Sequence, residues 1–342
     1  MFRHRLLVVL VGAVLCVTAV AQGKDFDVKA LFEKPVALLD ADGKVLITGK
    51  ALATPYAADF DADGVNDLIL GAKMGMDTAK GGIWLARNVG TNVRPRFDWS
   101  NAWPVPIAAG DQTCGLEMDC GCKSAGYVPV QAADWNADGW LDIVYTDTYR
   151  AAFVLVNKKV SRRQPVFDRV KWFDFEKTNH GMLAGGGDWN HDGLRDFLHM
   201  PFGGKYYRAF AGERVGGAGL RFGGSDVRSG TLIDLTGDKA RECAWAWDFS
   251  GTCGPGQVEY VGVADRDKGE IGLFRATGKA SRKVGTVATF EGGYVKLTAC
   301  DLNADGRMDV LYSGGVFGRP DKTKVFVLYG KVGNMGSRPA SR

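Results

Sequence analysis

Apolar and polar positions alternate along this chain in short runs, and one order of runs keeps returning. AADFDADGVNDLIL from Ala57 reads as two small residues, a turn dense in aspartate, and an apolar run. AADWNADGWLDIVY from Ala132, GGDWNHDGLRDFLH from Gly186 and ACDLNADGRMDVLY from Ala299 align with it without gaps. Glycine-rich turns and further apolar runs of strand length follow, among them GGIWLARN and AAFVLVNKK. Long helical periodicity is absent beyond the N-terminal segment, and 47 glycines suit a chain of many tight turns. The pattern predicts an all-β protein.

A fifth segment, LIDLTGDKARECAW from Leu232, keeps the frame but loses several polar positions. The leading aspartates are Asp59, Asp134, Asp188, Asp234 and Asp301. Repeats of this length with several short strands each predict the blades of a β-propeller rather than a two-sheet sandwich. Sequence before the first acidic turn (PVALLD, KVLITG) and after the last (DVLYSGG, KVFVLYG) supplies about one blade between them. Five blades, the last shared by both chain ends, is the simplest count, and sharing removes an exposed sheet edge. Six or seven follow if the longest intervals hide degenerate units.

The turns carry the chemistry. Numbering Asp59 to Asp67 as positions one to nine, oxygen side chains at one, three and five converge, glycine at six permits the bend, and nine adds a carboxylate. This is the first part of a calcium loop of the EF-hand kind. Carboxylates brought so close repel one another unless a cation neutralises them. Magnesium demands tighter octahedral geometry, and transition metals want nitrogen or sulfur ligands that the turns lack. The expected side-chain ligands are Asp59, Asp61, Asp63 and Asp67; Asp134, Asn136, Asp138 and Asp142; Asp188, Asn190, Asp192 and Asp196; and Asp301, Asn303, Asp305 and Asp309. In the fifth segment Lys239 replaces the glycine and Glu242 the last aspartate, so weak or no binding is expected there. Asp40-Ala41-Asp42-Gly43 lacks the later acid and reads as an ordinary hairpin turn. Position two, occupied by Phe60, Trp135, Trp189, Leu235 and Leu302, reads as packing between blades.

On the residues DFDADGVNDLILG, DWNADGWLDIVY, DWNHDGLRDFLHM and DLNADGRMDVLYSGG, the chain resembles the FG-GAP and VCBS repeat propellers, related to the integrin α-subunit head. The resemblance spans most of residues 25 to 335. It implies calcium in each loop and adds the position-seven carbonyls of Val65, Trp140, Leu194 and Arg307 as ligands. Gly71-Ala72 and Phe317-Gly318 are partial echoes of that family's turns.

The ends change the setting. MFRHRLLVVLVGAVLCVTAVAQG, with basic Arg3 and Arg5, an apolar run and an Ala19-x-Ala21 site, predicts a signal peptide over residues 1–21. The propeller is then expected over 22–335 and a flexible tail over 336–342. Secretion or a periplasmic location follows, with no membrane span after cleavage. The whole chain carries a formal net charge of +4, too balanced to argue for nucleic acid. Beyond Cys16 lie Cys114, Cys120, Cys122, Cys243, Cys253 and Cys300, an even set that favours disulfides in an exported chain, with Cys243–Cys253 a candidate pair. The spacing in CGLEMDCGC fits no zinc pattern.

Two function classes remain. One is a binding or adhesion module, a rigid exported disc whose partner is a polysaccharide or an extracellular or periplasmic protein. Trp99, Trp103, Tyr206 and Tyr207 are then candidates to stack on sugars. The alternative is a polysaccharide lyase or hydrolase, for which His180 with Tyr206 or Arg208 is the one constellation offering a base. No serine elbow, phosphate loop, zincin or haem motif occurs, so nucleotide and redox chemistry have no support.

Overall fold

The short apolar runs become strands throughout the computed structural model, which describes residues 28, 31–73, 81–105, 128–134, 138–147, 151–161, 165–174, 181–187, 196–201, 206–210, 212–215, 219–222, 231–234, 244–247, 260–265, 268–277, 280–290, 294–316 and 319–331. Five four-stranded antiparallel sheets account for most of them. The first holds Ala51–Ala58, Asp67–Lys73, Gly81–Ala86 and Trp103–Pro104. The second holds Val130–Ala133, Asp142–Asp147, Ala151–Asn157 and Phe167–Asp174. In the third, Gly181–Gly187, Asp196–Pro201 and Tyr206–Phe210 are followed by Thr231–Asp234. The fourth runs through Ala244–Trp247, Tyr260–Asp265, Glu270–Thr277 and Ala280–Thr289. The fifth takes Tyr294–Cys300, Asp309–Val316 and Arg319–Leu328 from the C-terminal end and Val36–Ala37 from the N-terminal end. The all-β expectation holds, and so does a last sheet built from both ends of the chain. No α-helix occurs among the described residues, and none of their helices is long and apolar enough to cross a membrane.

Within each sheet the strands neighbour one another nearly in chain order, and the first strands touch across sheets. Ala51–Ala58 contacts Tyr294–Cys300 and Val130–Ala133, Gly181–Gly187 contacts Val130–Ala133 and Ala244–Trp247, and Ala244–Trp247 contacts Tyr294–Cys300. Small residues permit that approach: Ala53, Ala57, Ala132 and Ala133 are all buried on first strands. Gly71 permits another, because a Cβ there would lie 2.0 Å from the Val128 carbonyl oxygen.

Alternation along a strand then serves two cores at once, since successive side chains point to opposite faces. On Asp67–Lys73, Leu68 and Leu70 join Leu302, Leu311, Val325 and Val327 between the fifth and first sheets. Ile69 faces the other way, with Phe60, Ile83, Val130, Ile143 and Tyr145 between the first and second. A third cluster packs Ile271 and Leu273 of the fourth sheet against Val295, Leu297 and Val310 of the fifth. Sheets covered on both faces read as continuous apolar runs, hence DLILG and DIVY, and each fully buried Leu or Ile contributes about 1.5–3 kcal/mol. The position-two residues Phe60 and Leu302 sit in these cores as expected; Trp135, Trp189 and Leu235 lie outside the described residues.

Three expectations are corrected. The Asp234 segment is no fifth copy of the repeat: Asp234 ends the outer strand of the third sheet and Ala244 begins the first strand of the fourth, so the segment joins two sheets. Small residues and aspartates suit the end of any strand, whether or not the next strand lies in the same sheet, which is why the segment matched. Cys300 is a buried free thiol, pushed far up in pKa by burial and then by Asp309, so the six cysteines do not all pair. The other five lie outside the described residues. Trp99 and Trp103 are half-buried: Trp99 packs against the core between the fifth and first sheets and donates its Nε1–H to the Thr48 carbonyl at 3.0 Å, while Trp103 packs against the core between the first and second. The Asp40–Gly43 segment is the ordinary turn expected, with Gly43 at φ +79° and the Lys44 amide donating to Asp40 Oδ1.

Candidate metal centres

Each complete acidic repeat connects the first and second strands of one sheet, so its position-nine aspartate opens the second strand. In the first loop the chain curls around its own carboxylates. Asp59 accepts the Asp63 amide on Oδ1 at 3.1 Å and the Gly64 amide on Oδ2 at 3.0 Å. Asp61 Oδ1 also takes the Asp63 amide, and Asp63 Oδ1 takes the Val65 amide at 2.8 Å. Such turns require left-handed backbone at Ala62 (φ +59°) and Gly64 (φ +90°). Open space surrounds Gly64, so the conformation alone explains the glycine.

The loop from Asp301 repeats this bond for bond. Asp301 accepts the Asp305 and Gly306 amides at 3.0 and 2.8 Å, Asn303 takes the Asp305 amide, and Asp305 takes the Arg307 amide, with Ala304 and Gly306 at φ +56° and +82°. In the loop from Asp134 the amides of Asp138 and Gly139 reach Asp134, and that of Trp140 reaches Asp138. Asn136 lies outside the described residues, as do Asp188, Asn190, Asp192 and Leu194; Asp196 begins its strand as the repeat frame requires.

Asp59, Asp61 and Asp63 each offer an oxygen within 4.8 Å of the others. Oxygens bound to one calcium at about 2.3–2.6 Å lie within about 5 Å of each other, so this trio fits such an ion, and its all-oxygen donors suit a hard cation. The loops from Asp134 and Asp301 replace the middle acid with asparagine, which keeps an oxygen donor and drops a charge.

The position-nine acids do a second job. Asp67, Asp142 and Asp309 are buried, and each Oδ1 accepts an amide from the end of the third strand or from two residues past it: Asn88 at 2.9 Å, Asn157 at 2.8 Å and Gly330 at 2.8 Å. Asp309 Oδ2 also accepts the Leu302 amide. Burial, and then the charges of the other loop acids, push Asp67 and Asp309 up to about 7. Burial likewise raises Asp59 and Asp301. Two carboxylates that ionise only near neutrality, beside others of the same sign, mark places where positive charge is favoured.

Asn88 and Asn157 are the residues the sequence reading missed. Their side-chain amides donate to the Asn66 and Leu141 carbonyls, both at 3.1 Å, and each carbonyl oxygen takes the amide two residues on, from Gly90 and Lys159. They stand in WLARN and FVLVN, at or just past the end of a third strand, with no constant spacing from their loops. Each of the three described loops also has a basic neighbour: Arg87 3.6 Å from Asp61, Lys159 3.0 Å from Asp138 and Arg307 2.9 Å from Asp305. A cavity of about 440 Å³ opens between the first loop and Arg87 to Gly90.

The candidate base fares differently. Tyr206 and Arg208 lie on a third-sheet strand, in register with Asp234 and with His199 and Leu232 respectively, while His180 lies outside the described residues.

No family model matches the chain, and no curated protein matches it either. Among solved structures, it aligns over 94% of its length, and 96% of the other chain, with a GH43_1 enzyme from Xanthomonas citri complexed with xylotriose, at 11% identity and a TM-score of 0.48. It also aligns over 91% of its length with the V. cholerae biofilm matrix protein Bap1, at 14% identity and a TM-score of 0.33, spanning 44% of that chain. At these scores neither likeness carries an argument about this chain.

Proposed function

We propose that this protein is an exported, five-bladed β-propeller of the FG-GAP and VCBS repeat kind, stiffened by calcium and serving as a binding or adhesion module for a polysaccharide or an extracellular or periplasmic protein. Five four-stranded sheets, first strands that touch from sheet to sheet, and a last sheet drawn from both chain ends support the ring. The observation that carries the calcium reading is the Asp59, Asp61 and Asp63 trio, whose oxygens meet the spacing one ion imposes. Asp59, Asp61, Asp63 and Asp67 would hold the ion with the Val65 carbonyl, and the loops from Asp134, Asp188 and Asp301 would do the same at equivalent positions. Bound calcium supplies positive charge that lets the buried acids stay ionised and the turns stay ordered. The binding role rests on the sheets as a rigid scaffold that presents its connecting loops to a partner.

Equilibrium dialysis of chelator-stripped protein against calcium chloride tests the first half of this reading, with four ions per chain expected and none at millimolar calcium refuting it. A carbohydrate array and an envelope-protein pull-down test the second. Release of unsaturated sugars from an anionic polysaccharide, abolished by His180→Ala, would replace the binding role with lyase chemistry.

A further inference from the structure

The loops from Asp59 and Asp301 belong to the first and last sheets of the chain, and one side chain joins them. Asn66, at position eight of the first loop, donates its Nδ2 hydrogens to the Asp301 carbonyl at 2.7 Å and the Leu302 carbonyl at 3.0 Å. Those carbonyls belong to positions one and two of the other loop. Its Leu302 amide is meanwhile held by Asp309 Oδ2, so the start of that loop is pinned from two sides.

Asn66 is itself held on its own side. Its amide donates to Asn92 Oδ1 at 2.7 Å, its carbonyl accepts from Asn88 Nδ2, and Asn92 Nδ2 donates to the Gly64 carbonyl at 2.8 Å. The neighbours of Asn66 in sequence are Val65 and Asp67, positions seven and nine. Any shift of those positions on taking up a cation therefore moves the group that holds Asp301. The equivalent positions in the other loops are Leu141, Arg195 and Met308, so the first loop alone carries an amide there.

We propose that Asn66 couples the two loops, so that calcium bound in either one strengthens binding in the other. This rests on the calcium reading above. The physical basis is ordering: a loop that has taken its ion no longer samples open arrangements, and through Asn66 it removes part of the same freedom from its neighbour. Coupling between sites is reciprocal, so each loop raises the other's affinity by the same factor, about fivefold for a link of this size.

The test uses the full chain labelled with ¹⁵N-glycine and titrated with calcium chloride. The Gly64 and Gly306 amides report their own loops, since each donates to its loop's first aspartate. Asp305→Ala should raise the calcium midpoint at Gly64 about fivefold, and Asp63→Ala should raise that at Gly306 by the same factor. Asn66→Ala should abolish both cross-effects, while Asp138→Ala in the second loop should leave the Gly306 midpoint unchanged. The two aspartate variants leave Asn66 intact, so they decide the matter even if Asn66→Ala fails to fold. Unequal cross-effects, none at all, or cross-effects that survive Asn66→Ala overturn the coupling while calcium binding stands. If neither glycine responds to calcium at any concentration, the calcium reading itself falls and the coupling with it.

Discussion

The loops from Asp59 and Asp301 share one backbone and differ in charge. In both, position one accepts the amides of five and six, five accepts the amide of seven, and residues four and six are left-handed. The first loop does this with Asp59, Asp61, Asp63 and Asp67, the other with Asp301, Asp305, Asp309 and the neutral Asn303. Their cations differ too: Arg87 comes from beyond the third strand of its sheet, whereas Arg307 sits within its own loop. The shape is thus set by hydrogen bonds from short polar side chains, and charge is adjusted separately on top of it. Shape alone does not need an ion, but the first loop's additional charge does more to demand one.

Calcium withdrawal breaks this comparison most strongly. A ligand held at 100 times its Kd stabilises the folded state by about 2.7 kcal/mol per site. Chelator should therefore lower the melting temperature by several degrees in scanning calorimetry. In Asp305→Ala, which leaves the first loop as the better of the two, most of the shift should persist. In Asp63→Ala a smaller part should. Equal losses from the two variants would show that the additional acid contributes nothing.

Next in size is the buried position-nine acid. Asp309→Ala strips acceptors from the Leu302 and Gly330 amides, and each unsatisfied buried donor costs about 1–3 kcal/mol. Urea unfolding in chelator, where no ion contributes, should show a loss of about 2–5 kcal/mol. Asp67→Ala, which frees the Asn88 amide, should lose about 1–3 kcal/mol. A change below about 1 kcal/mol in both would remove the role assigned to these acids.

The same acids make stability depend on pH. Asp67 and Asp309 sit at about 7 in the folded chain, against 3.8 for the free group. A raised folded pKa stabilises the fold fully below the unfolded value, and that contribution is lost as pH rises through the folded one. Metal-free protein should thus melt at a higher temperature at pH 5 than at pH 8. Calcium favours the ionised acids, so its own increment in melting temperature should shrink over the same descent in pH. An increment that grows toward pH 5 would contradict the burial of these groups.

The contrast also shows what could be read from residues alone. Repeated acids at fixed spacing located the described loops, and the apolar residues at position two of two of them, Phe60 and Leu302, sit in the cores between sheets. Asn88 and Asn157 escaped notice because a lone asparagine at a turn has no spacing to betray it. The Asn66 bridge escaped because its acceptor lies 235 residues away. The Asp234 segment misled for the opposite reason, since local turn chemistry is the same within a sheet and between sheets.

The smallest effect sharpens the comparison most. Arg307 pairs with Asp305 at 2.9 Å while remaining 36% exposed, and surface pairs of this kind contribute about 0–1 kcal/mol. Arg307→Gln should therefore barely change the metal-free stability. It should nonetheless raise calcium affinity at the Gly306 amide by a factor of about two to five, because the guanidinium competes with the ion for the Asp305 carboxylate and must turn away. Position seven would supply its carbonyl as before, since that group is backbone. The Gly64 midpoint should follow only as far as the Asn66 bridge transmits the change, a fraction of the effect at Gly306. A calcium affinity unmoved by Arg307→Gln would mean that the arginine and the ion occupy different sides of Asp305, and the pairing would then be support for the loop rather than a stand-in for its cation.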